Sequence, residues 1–130
     1  MARRMTATHE RADVLIVDDN ELNLEMAAFL LGADGLKVAT AQDADAALVQ
    51  LATHRPRLVL MDIQMPRIDG LELTRRLRAD PAHAGLVVVA FTAYAMKGDE
   101  ARMLAAGCDG YIAKPIDVGS FAASVRRYLT

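Results

Sequence analysis

Tryptophan is absent from the 130 residues, and aromatic residues of any kind make up only 5%. With 53% of the chain hydrophobic, a core has to be assembled from Leu, Val, Ile, Ala and Met, a recipe common in α/β proteins. Cysteine occurs once, as Cys108, so no internal disulfide can form and the thiol is expected to be an inert, reduced side chain. No apolar run approaches the roughly 20 residues that span a bilayer, and the polar start, Met1 to Asp13, lacks the apolar centre of a signal peptide. No membrane attachment is expected, and a cytoplasmic location is. An excess of one charge is missing too. The 15 Lys and Arg against 17 Asp and Glu leave a formal net charge of -2, which is no footprint for nucleic acid or an anionic membrane. The length fits one domain and allows roughly two thirds of the unfolded surface to be buried, so neither a metal nor a disulfide staple is needed.

What is present is a series of short apolar runs that each end in a polar residue. Leu58-Val59-Leu60-Met61, introduced by Pro56, runs into Asp62 and then a turn. Val14-Leu15-Ile16-Val17 runs into the adjacent acids Asp18 and Asp19, Leu86 to Phe91 into Thr92, and Gly110 to Ala113 into Lys114-Pro115. Uninterrupted apolar runs of strand length suit strands buried on both faces of a parallel sheet. Leu36 to Ala41 is weaker, broken by Lys37 and Thr40, and is expected nearer a sheet edge.

Helical spacing fills the intervals. Asn20 is placed to cap a helix carrying Leu22, Met26, Phe29, Leu30 and Ala33, with Gly32 or Gly35 as the stop. Asp43 is placed to cap a second, with Ala44, Ala47, Leu48, Leu51 and Ala52, closed by His54, Arg55 and Pro56. A loop from Ile63 to Asp69 leads through Gly70 to a third, with Leu73 and Leu77 inward and Arg75, Arg76 and Arg78 on a solvated face. Gly98 and Asp99 open a short fourth helix with Met103 and Leu104, stopped by Gly107, and Val118, Phe121, Ala122, Val125 and Leu129 mark the last. Residues 1–12 show no periodicity and read as a flexible tail, with one domain over 13–130. Five strands alternating with five helices predict a doubly wound parallel sheet with helices on two faces. Right-handed crossovers then bring every strand end to one edge.

That edge gathers Asp18 and Asp19, Asp62, Thr92 and Lys114. Taken singly, each has an ordinary structural use: an acid can cap or turn, a threonine can cap, a lysine can be solvated. Their coincidence on one edge, where open α/β sheets bind ligands, points to a shared task. Three neighbouring carboxylates repel one another unless a cation sits among them. Oxygen-only donors suit Mg²⁺, and a lysine and a hydroxyl aimed at the same point add donors for an anion. The chemistry that fits is phosphoryl transfer onto a carboxylate, with Asp as the covalent nucleophile.

The order Asp18-Asp19, Asp62 with Met65-Pro66 and Asp69-Gly70, Thr92-Ala93, and Tyr111 followed by Lys114-Pro115 resembles the receiver domain of bacterial two-component response regulators over about residues 13–129. The resemblance implies a flavodoxin-like sheet with strand order 2-1-3-4-5. It implies that Asp62 accepts a phosphoryl group from a histidine kinase or a histidine phosphotransfer protein. Asp19, Asp62 and the Gln64 backbone carbonyl would bind Mg²⁺, with Asp18 acting mainly through water. Thr92 and Lys114 would grip the phosphoryl oxygens, Tyr111 would be the aromatic switch, and the Lys114-Pro115 bond would be cis. Asp62-Ile63-Gln64-Met65-Pro66 and Thr92 to Asp99 are most similar to stand-alone DivK-type receivers and to those attached to hybrid kinases. Tyr94 and Gln64, two residues past Thr92 and Asp62, are expected to screen the phosphoryl group from water and so set its lifetime. With no output domain expected after the last helix, output should be a protein contact on the face of helix 4, strand 5 and helix 5, including Met96, Lys97 and Tyr111, in a monomer or weak dimer.

Other classes fit less well. A Mg²⁺-dependent phosphatase of the haloacid dehalogenase type also uses a strand-end Asp nucleophile, but wants a second Asp two residues on, where this chain has Gln64. A non-enzymatic switch is therefore expected. A nucleotide-binding switch wants a Gly-rich phosphate loop after the first strand, where acids stand instead. A histidine phosphotransfer module is a helix bundle, and His9, His54 and His83 fall in a tail, a helix end and a loop.

Overall fold

The computed structural model describes residues 11–65, 69–93 and 97–129. The elements are β1 (Val14–Val17), α1 (Glu21–Ala33), β2 (Val38–Ala41), α2 (Ala44–His54), β3 (Leu58–Asp62), α3 (Gly70–Ala79), a 3₁₀ turn (Pro81–His83), β4 (Val87–Thr92), α4 (Lys97–Ala106), β5 (Gly110–Ala113) and α5 (Phe121–Leu129). The strands form one sheet in the order β2-β1-β3-β4-β5, every pair parallel. The weak strand β2 is an edge strand, as its interrupted sequence predicts.

Strand alternation divides the core in two. Leu15, Val17, Val59, Met61, Val88 and Ala90 face α2, α3 and α4, meeting Ala47, Leu51, Leu73, Leu77 and Met103. Val14, Ile16, Leu58, Leu60, Val89 and Phe91 face α1 and α5, meeting Leu24, Ala27, Leu31, Phe121 and Val125. Both faces of the central strands are thus covered, which is why those strands read as unbroken apolar runs.

Local chemistry starts and stops the helices. The side chains of Asn20, Asp43 and Asp69 accept from the amides of Asn23, Ala46 and Glu72 at 3.0, 2.7 and 2.8 Å, each satisfying an orphan N–H of the first turn. At the far end of α1, Gly35 has φ +90°, its amide donates to Gly32 O, and the Leu36 amide donates to Leu31 O. This Schellman stop needs a residue without Cβ strain. Helix α2 stops without glycine: Arg55 takes the left-handed conformation itself, at φ 46°.

The structure departs from the sequence reading on several helix faces. In α1 the buried residues are Leu24, Ala27 and Leu31, whereas Leu22, Met26 and Phe29 are exposed. That helix is apolar on nearly every side, so periodicity has no single phase, and the small Ala27 lets the backbone approach the sheet. Leu48, Leu104 and Val118 are exposed as well. Arg78 is not on a solvated face. It reaches across to donate to Gly107 O, Leu86 O and Asp109 Oδ2 at 2.8, 2.6 and 2.7 Å. Pro66, Tyr94, Met96 and most of the proposed tail lie outside the described residues. No helix among the described residues is long and apolar enough to cross a membrane.

Candidate functional site

Sheet register builds the site. Val17 pairs with Met61, so the next residues on these parallel neighbours, Asp18 and Asp62, stand side by side at a strand spacing of about 4.8 Å. Thr92 pairs with Ala113, which puts Lys114 one step beyond on the outer strand. The Lys114 amide donates to Thr92 O at 2.8 Å, and the Lys114-Pro115 peptide is cis.

Asp18, Asp62 and Thr92 are buried, while Asp19 is exposed. One carboxylate oxygen of each of Asp18, Asp19 and Asp62 lies within 4.8 Å of the others. The two buried acids are held alike: Asp18 Oδ1 accepts from the Asn20 amide and Asp62 Oδ1 from the Gln64 amide, both at 2.9 Å. These are Asx turns, and each fixes one oxygen with the chain's own backbone. The Lys114 ammonium lies 2.9 Å from Asp18 Oδ2 and 3.6 Å from Asp62 Oδ1, and 4.9 Å from the centroid of the Phe91 ring. Asp18 Oδ2 is fully buried and accepts no aligned hydrogen bond, so its compensation is the ion pair with Lys114.

Burial drives the Asp62 carboxyl up from 3.8 to about 7. The Gln64 amide opposes this, the nearby Asp18 charge reinforces it, and Lys114 offsets part of it. A carboxylate that is costly to ionise alone becomes cheap to ionise beside a divalent cation. The donor set consists only of oxygens, with one carboxylate oxygen from each of three acids within 4.8 Å of the others, so these residues fit Mg²⁺.

Gly70 bears on the geometry as well. A Cβ there would overlap the Asp62 carbonyl oxygen and approach Ile63 Cα to 2.8 Å, so only glycine lets the start of α3 close against the back of the acid. Gln64 is exposed. Tyr111 is half-buried, packs against the α2-α3-α4 core, and lines a groove of about 490 Å³ with α5. The structure thus gathers Asp18, Asp19, Asp62, Thr92 and Lys114 at one edge, with Tyr111 on β5, the strand that leads into Lys114. Tyr94, Met96 and the Lys97 side chain lie outside the described residues. Phe91 beneath the Lys114 ammonium and the overlap relieved at Gly70 escape sequence reading, because both arise from register and helix approach.

The sequence profile of the response regulator receiver domain matches residues 14–126. The chain belongs to the receiver domain family. The receiver is 44% identical over 116 residues to the polar-differentiation response regulator DivK of Brucella anthropi, covering 89% of this chain and 94% of the relative. Its fold is that of the chemotaxis protein CheY4 of Vibrio cholerae, with a TM-score of 0.84 at 24% identity, covering 91% and 98% of the two chains. The receiver domain of NtrX from Brucella abortus gives a TM-score of 0.79 at 31% identity over 90% and 98% of the chains. A flavodoxin-like sheet in the order 2-1-3-4-5 and a receiver domain similar to DivK are therefore established.

Proposed function

We propose that this receiver is a phosphorelay switch in which Asp62 accepts a phosphoryl group from a histidine kinase or a histidine phosphotransfer protein. The observation that carries the reading is the buried Asp62 beside Asp18, Asp19 and the Lys114 ammonium at one strand edge. An Asp62 oxygen attacks phosphorus as the phosphorus–nitrogen bond of the donor breaks, and the electron pair returns to the imidazole. Asp19, Asp62 and the Gln64 carbonyl would hold Mg²⁺, with Asp18 linked through water. The ion supplies charge neutralisation for the transferred oxygens.

The remaining steps belong to the chain. Lys114 and Thr92 are the donors at the phosphoryl oxygens, and burial excludes competing water. The new group adds about -1.5 to -2 charges and draws both donors inward. Because Lys114 is hydrogen-bonded through its amide to Thr92 O, their movements are coupled, and Tyr111 on the same strand is the aromatic reporter of that shift. Gln64 and Tyr94 set the lifetime of the phosphorylated state. Output is a protein contact on the face of α4, β5 and α5.

Intact-protein mass after incubation with Mg²⁺ and acetyl phosphate tests this. One added, labile phosphoryl group is expected, absent from Asp62→Ala and from a Mg²⁺-free control. Labelling that persists in Asp62→Ala would assign the acceptor elsewhere.

A further inference from the structure

The edge of the sheet opposite the acids also has a concavity, of about 710 Å³, between the end of α2, the segment entering β1 and the 3₁₀ turn before β4. Arg11, Arg55 and His83 stand on its walls, and Leu51, Pro56 and Leu86 contribute apolar surface. The local sequence explains the shape. Helix α2 stops at the left-handed Arg55, Pro56 cannot continue it, and Arg11 Nε donates to the Arg55 carbonyl at 2.7 Å, which brings both side chains to one rim. Arg57, Arg75, Arg76, Arg78, Arg102 and Arg126 all pair with carboxylates. Among the described residues Arg11 and Arg55 do not.

Two guanidinium groups without a carboxylate partner, the Arg11 group keeping its terminal nitrogens free of the Arg55 carbonyl that its Nε holds, stand over an apolar floor and define a ligand chemistry. Guanidinium groups favour oxyanions, and the volume lies within the roughly 300–1,000 Å³ of small-molecule sites. An inorganic anion would leave the floor unused, and a neutral apolar molecule would leave the arginines unengaged. We propose that this cavity binds a small organic anion, its apolar body against Leu51, Pro56 and Leu86 and its anionic oxygen head group on Arg11 and Arg55. Binding there involves no residue of the acidic edge, so it stands or falls independently of phosphorylation.

The probes are 8-anilinonaphthalene-1-sulfonate and octanoate, followed by amide NMR on the folded chain. Saturable binding is expected, with shifts confined to Arg11, residues 51–56 and residues 82–86. Octanoate should displace the dye, and octanol or inorganic phosphate at equal ionic strength should do so at least tenfold less well. Arg11→Gln combined with Arg55→Gly should weaken binding tenfold or more, and Asp62→Ala should bind as the parent does. Glycine suits the left-handed position, so the Arg55→Gly chain keeps its fold, and Arg11→Gln alone provides a second reading. Shifts centred on Leu22, Met26 and Phe29, undiminished affinity in the double variant, or equal displacement by phosphate would overturn the proposal.

Discussion

Lys114 sits closer to Asp18 than to Asp62, 2.9 Å against 3.6 Å. The lysine therefore neutralises the neighbouring buried acid while still holding Asp62 partly in check. Removing the ammonium as Lys114→Met takes away an interaction that favours the Asp62 carboxylate, so the titration midpoint of Asp62 should move above about 7. Carboxyl-carbon NMR across pH measures this, and an unchanged midpoint would break the assigned coupling.

The raised Asp62 value also sets a stability profile for the metal-free protein. The folded value, about 7, lies above the ordinary 3.8, so the native state holds a proton that the unfolded chain has released. Stability is full below about pH 4, falls as pH rises, and has lost its whole increment, at most about 4 kcal/mol, above pH 7. Denaturation of Asp62→Asn should show a flatter profile in this window and a more stable protein at neutral pH. Added Mg²⁺ should restore stability to the parent at neutral pH and much less to the variant.

Gly70→Ala inserts a methyl group where the Asp62 carbonyl and Ile63 already stand. A loss of about 1–3 kcal/mol is expected from the overlap. Acetyl phosphate labelling of the folded fraction should fall too, because α3 can yield only by moving the turn that follows the acceptor. Parent-like stability would show that the helix start gives way freely.

Arg78 joins α3 to the end of α4 and to the starts of β4 and β5 through three hydrogen bonds, and its Asp109 partner also accepts from the Val88 amide at 2.9 Å. Arg78→Ala should cost about 2 kcal/mol in chemical denaturation, allowing for its partial exposure. Arg78→Lys should recover little, since one ammonium cannot span three acceptors.

Arg55→Gly should stabilise the fold by about 0.5–1 kcal/mol, because the left-handed residue after α2 loses its Cβ strain. Thermal denaturation reads the gain.

The strands and the strand-end residues are legible in the sequence because a double-sided parallel sheet leaves a distinctive trace: an apolar run cut off by one polar residue. Asp18, Asp62, Thr92 and Lys114 stand out for that reason, and the DivK-like pattern ties them together. The packing face of α1 is not legible, since Leu22, Leu24, Met26, Phe29 and Leu31 are all apolar and only the sheet selects among them. Arg78 reads as a solvated residue because its three acceptors come from segments that sequence spacing alone does not relate. Gly70 is visible as a glycine, but the reason for it is a carbonyl oxygen eight residues earlier, exposed only once the turn has folded.

The pairing of Val17 with Met61 makes the spacing of the two buried acids a discrete quantity. Strand residues alternate sides, so sliding β1 by one position would not bring Asp18 slightly nearer to Asp62 but would swap its place with a core valine and turn Leu15 out of the α2-α3-α4 interior. Lineages of this chain can retune the site by exchanging side chains around the pair. They cannot adjust the distance between the acids in small steps, and an insertion in either strand costs the core and the chemistry together.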